Sequence, residues 1–154
     1  MDEPLPFRDP PPTANEKNAV QREVTRLLDA LAPERAAART SQQVPSGPVQ
    51  QHRTPNGCVL QAPAAALSVT WYADAADRGR LGELQVVLWR GIVSRRGSRA
   101  AAEAPQLIRQ EVLNPIERPT DAAVWRSDNG TTYDTAGLTA HCLALLEQEM
   151  RSNP

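Results

Sequence analysis

The chain has 154 residues and a formal net charge of −1 at pH 7, with 40% hydrophobic and 23% charged residues. That length fits one domain with a modest core that needs no disulfide or metal. The near-neutral balance offers no bulk field to draw nucleic acid or an anionic membrane.

No apolar run approaches the roughly 20 residues that span a bilayer. The start, Met1-Asp2-Glu3-Pro4, lacks the basic and apolar regions of a secretory signal. A cytoplasmic location is expected by default, with no membrane partner. Of the 17 basic residues, Lys17 is the only lysine, and with abundant alanine and proline this reads as the coding bias of a high-GC bacterial genome. Cys58 and Cys142 are too few for a disulfide framework and too far apart for a metal motif. Two buried, reduced thiols are expected.

Residues 1–12 hold five prolines and little to bury, so a disordered tail is expected. Thr13-Ala14-Asn15-Glu16 then matches a capping box. Val20, Val24, Leu27, Leu28 and Leu31 recur at helical spacing and form one apolar stripe. Pro33 ends the run, and 34–39 can add a short turn, giving a helical arm over 13–39. Pro45, Gly47, Pro48, Pro55 and Asn56-Gly57 punctuate residues 40–57, which read as a flexible linker. A tethered arm makes its stripe a candidate interface with a second subunit or partner.

From Cys58 the pattern changes, and an α+β domain is expected over 58–150. Leu67, Val69 and Trp71 alternate with Ser68, Thr70 and Tyr72, as a strand with one wet face does. Leu84 to Val93 is apolar on both sides around Val86–Trp89, which predicts a central strand with a bulge or a close backbone approach at Gly91. Residues 107–116 fit a helix through Leu107, Ile108 and Val112 or a strand through Ile108, Gln110 and Val112, and the flanking Pro105 and Pro115 favour a short edge strand. Ala122–Ser127, the turn Asp128-Asn129-Gly130 and a brief return over Thr131–Tyr133 predict a hairpin. Asp134 or Thr135 then caps a closing helix with Leu138, Cys142, Leu145 and Leu146 on one face.

Little of this pattern carries chemistry. His52 falls in the linker, a poor platform for proton transfer. His141 and Cys142 are adjacent on a helix, where neighbouring side chains diverge and cannot act as base and nucleophile. Asp74, Asp77, Asp128 and Asp134 fall in turns, where aspartate serves local backbone bonding. No zinc-ligand spacing and no phosphate loop occurs, so no catalytic, metal or cofactor site is assigned. Arg95, Arg96 and Arg99 make a candidate anion-binding cluster, although nearby acids weaken the case for nucleic acid. Trp71, Trp89 and Trp125 would line a candidate groove if they shared one sheet face.

The expected architecture is therefore α+β: an N-terminal amphipathic helix, an antiparallel sheet of three to four strands, and a C-terminal helix on one face. The expected function is a non-enzymatic, self-associating protein–protein interaction module. The alternatives are a small-molecule or enzymatic pocket at the tryptophan face, or weak nucleic-acid binding through the arginine cluster.

Overall fold

The computed structural model describes residues 13–32, 49–73, 81–93, 104–116 and 123–152. Helix α1 (Ala14–Ala30) leads into β1 (Gln50–Thr54), β2 (Gly57–Gln61), β3 (Ala65–Tyr72), β4 (Glu83–Arg90), β5 (Gln106–Pro115), β6 (Trp125–Ser127) and β7 (Thr132–Tyr133). Helix α2 (Thr135–Ser152) closes the chain. The strands form one antiparallel meander in sequence order, so each pairs with its chain neighbours. The α+β class is as expected, but the sheet has seven strands, not three to four.

Two of the strands, β1 and β2, have no counterpart in the strand segments read from the sequence. β1 reads Gln-Gln-His-Arg-Thr and alternates nothing apolar, so periodicity gives no signal. Its order comes from pairing: Thr54 opposes Gly57, and Pro55-Asn56 turn the hairpin. The part of the presumed linker that is described, 49–57, is therefore sheet edge and turn. Residues 1–12, 33–48 and the Arg95, Arg96 and Arg99 cluster lie outside the described residues.

Helix α1 begins as its sequence dictates. The Thr13 hydroxyl accepts from the Glu16 amide at 3.1 Å, and the Glu16 carboxylate accepts from the Thr13 amide at 3.2 Å. The helix is not a detached arm. Val24, Leu27, Leu28 and Leu31 are buried in one core cluster with Leu60, Leu67, Val69, Leu84 and Leu146. Polar contacts from β1 fasten it further: Gln51 Nε2 donates to the Leu28 carbonyl at 2.9 Å, and Arg53 pairs with Asp29 at 3.4 Å. The hydrophobic stripe is satisfied by the chain's own sheet and α2.

Both helices cover the same side of the sheet. Leu67, Val69 and Trp71 of β3, with Leu84, Val86 and Leu88 of β4, face them, while Ser68, Thr70 and Tyr72 point the other way. On α2 the expected face of Leu138, Cys142, Leu145 and Leu146 is buried. Asp134 caps its first turn by accepting from the Gly137 amide at 2.6 Å. The β6–β7 hairpin turns at Gly130, whose φ of +91° is the conformation predicted for Asn-Gly there.

The bulge lies not at Gly91, which falls just past β4, but on β5. Leu88 opposes Arg109 and Trp89 opposes Leu107, which leaves Ile108 as the extra residue, packed against the core. Residues 106–115 are strand as expected. β6 pairs with β5 only over Leu113–Pro115, so the edge character belongs to the first part of β5 alone.

Candidate functional site

Strand parity separates the three tryptophans. Trp71 opposes Leu84 on the helix-covered face. From Leu84 to Trp89 is an odd number of residues, so Trp89 points to the opposite, open face. Trp71 and Trp125 meet within the core, ring centroids 6.0 Å apart and planes at 78°. The three do not share one face: they are a buried pair plus one outlier.

The outlier marks the most unusual surface of the described residues. Cross-strand register aligns Gln50, Gln61, Ala66, Trp89 and Leu107 in one row of the open face. His52, Val59, Ser68, Val87 and Gln110 make the next, and Thr54, Gly57, Thr70, Gln85 and Val112 the third. None of these rows holds an Asp, Glu, Lys or Arg. The Trp89 indole N–H donates to the Ser68 hydroxyl at 3.0 Å, so the ring lies across two rows. Leu107 beside it is 50% exposed, and Ile92, just past β4, is 37% exposed. Among the described residues, the charged side chains of this face are Glu83 and Arg126, in the row that flanks the third.

The charged groups gather on the other face, towards the helices. Glu111, buried on β5, meets His141 Nε2 at 2.8 Å and Arg109 Nε at 3.6 Å, and Tyr133 stacks on His141 at 5.2 Å. Burial first, and then the Glu111 charge, raise the Tyr133 phenol. Buried Glu149 of α2 likewise holds Arg90 at 3.0 Å. A carboxylate–imidazole pair can orient a base, yet among the described residues no activated nucleophile stands beside it. Burial pushes the Cys58 thiol up to about 11 and the Cys142 thiol up further still. Both cysteines are free and buried, as expected.

Two clefts flank α1. One, about 140 Å³, lies between α1 and the β5–β6 corner and is lined by Val20, Leu81, Ile116, Val124, Trp125 and the carboxylates of Glu16 and Glu23. A larger, more polar one of about 400 Å³ lies between α1 and the β1–β2 turn. The chain folds Val24, Leu27, Leu28 and Leu31 of the predicted interface inward and leaves Val20 half-buried at the first cleft.

Among the described residues no group of three or more His, Cys, Asp and Glu side chains is placed to hold a metal ion. No described helix is long and apolar enough to cross a membrane. Sequence reasoning missed Val59, Val87, Leu107 and Val112 as companions of Trp89: parity along β4 points only to Val87, and the others depend on cross-strand register and on the bulge at Ile108. It missed the Glu111–His141 pair because no local signal joins residues on separate elements.

No protein-family model matches this chain, and neither a curated protein nor a solved structure is significantly similar to it.

Proposed function

We propose that this chain is a self-associating interaction module whose contact surface is the open sheet face centred on Trp89. The observation that carries this is the charge-free set of rows around Trp89 and Leu107. A sheet face left to water ordinarily carries charged side chains, whereas interface cores are depleted of them and enriched in aromatics. A neutral face also suits a second copy, because a two-fold contact brings each row against its own kind without opposing like charges.

Magnitude sets the expected strength. Five strands at about 4.8 Å spacing, each giving about five residues at roughly 3.3 Å, make a face on the order of 400 Å² when flattened. Two such faces bury an area at the small end of specific interfaces, which suggests association in the micromolar range. The test is sedimentation from low to high micromolar concentration, comparing wild type with Leu107→Asp and Trp89→Ser. The mass should rise from 16.8 kDa towards twice that value in the wild type and stay at one chain in the variants. A wild type that remains a single chain throughout would sink the proposal.

A further inference from the structure

The cleft between α1 and the β5–β6 corner combines features that self-association leaves unused. Its walls are Val20, Leu81, Ile116 and Val124, and its floor is the buried Trp125 ring. Among the described residues that line it, Glu16 and Glu23 of α1 are acidic and none is basic, although Arg26 pairs with Glu23 from outside the cleft. Glu23 is held in place from two directions. The Thr135 hydroxyl donates to its Oε2 at 2.6 Å, and Arg26 donates to its Oε1 at 2.7 Å. The Thr135 hydroxyl in turn accepts from the Trp125 indole N–H at 3.3 Å. The carboxylate at the rim and the aromatic floor are thus parts of one hydrogen-bonded chain linking α1, β6 and α2.

We infer that this cleft binds the apolar end of a small organic amine, with the ammonium at Glu23. At about 140 Å³ it has the size of an apolar cavity that accepts a benzene-sized body. A carboxylate whose geometry is already fixed loses little freedom on pairing with a cation. The same carboxylate disfavours a carboxylic acid of identical shape, which would set like charges together.

The test uses three matched probes, benzylamine, benzyl alcohol and benzoate, titrated into the full chain while the assigned Trp125 indole N–H resonance is followed. Benzylamine should shift that resonance with an affinity about tenfold above that of benzoate, and benzyl alcohol should fall between. Glu23→Gln keeps an acceptor for Thr135 but removes the charge, so benzylamine should weaken to the level of benzyl alcohol, whose own binding stays unchanged. Val20→Phe should fill the cleft and abolish all the shifts. The inference fails if benzylamine leaves Trp125 unmoved, if benzoate binds as well as benzylamine, or if Val20→Phe leaves benzylamine binding intact.

Discussion

Trp71 and Trp125 meet edge to face 6.0 Å apart, and Gly82 is the residue that gives the Trp71 ring its room. A Cβ at Gly82 would sit 2.6 Å from the far edge of that ring, and its φ of +117° disfavours any other residue. Gly82→Ala therefore combines backbone strain with displacement of a core tryptophan. We expect a loss of about 2 kcal/mol or more in chemical denaturation, with a shift in near-ultraviolet circular dichroism as the ring pair separates. An unchanged midpoint would mean that the loop before β4 yields freely.

The stripe on α1 makes a second prediction, opposite to the one its sequence suggests. Leu27 is fully buried among the chain's own residues. Leu27→Ala should cost roughly 2–5 kcal/mol, and Leu27→Asp with Leu28→Asp should unfold the chain. A detached arm would behave otherwise: the double variant would keep its circular dichroism and lose only assembled mass. Measuring both quantities on one sample separates the outcomes.

Self-association through the open face should be nearly indifferent to salt. Its rows hold no Asp, Glu, Lys or Arg, so there is no pair to screen. Between about 50 and about 500 mM sodium chloride the dissociation constant should move less than about threefold. A steep weakening would instead implicate the charged flanking row at Glu83 and Arg126.

What the sequence made legible follows from how local each signal is. The Thr13–Glu16 capping box, the Asn129-Gly130 turn and the α2 face are written in residues a few positions apart, and the chain adopts all three. β1 was illegible because a polar edge strand owes its order to partners, Thr54 to Gly57 and Gln51 to Leu60. The fate of the α1 stripe was illegible for a related reason. An amphipathic helix specifies that its face is covered and leaves open which surface covers it. The tryptophan row failed on parity, since a pattern of strand ends does not fix which residues stand opposite one another.

Alkaline pH should destabilise the fold through its two thiols. Burial raises Cys58 from 9.0 to about 11; for Cys142 burial, with neighbouring Cys58 and Glu111, acts in the same direction. Because the folded thiol holds its proton to higher pH than the unfolded one, stability is full below pH 9. It declines as pH rises towards the folded values, since only the unfolded chain releases the proton easily. For Cys58 alone the span of about 2 pH units corresponds to roughly 2–3 kcal/mol by pH 11. Denaturant midpoints at pH 8 and pH 10.5 should therefore diverge in the wild type. Cys58→Ala should shrink that divergence even though it costs some stability at both pH values. Partly buried Tyr133 is raised as well and contributes in the same sense, so the variant narrows the gap without closing it. An alkaline loss of equal size in the variant would assign the effect to other groups.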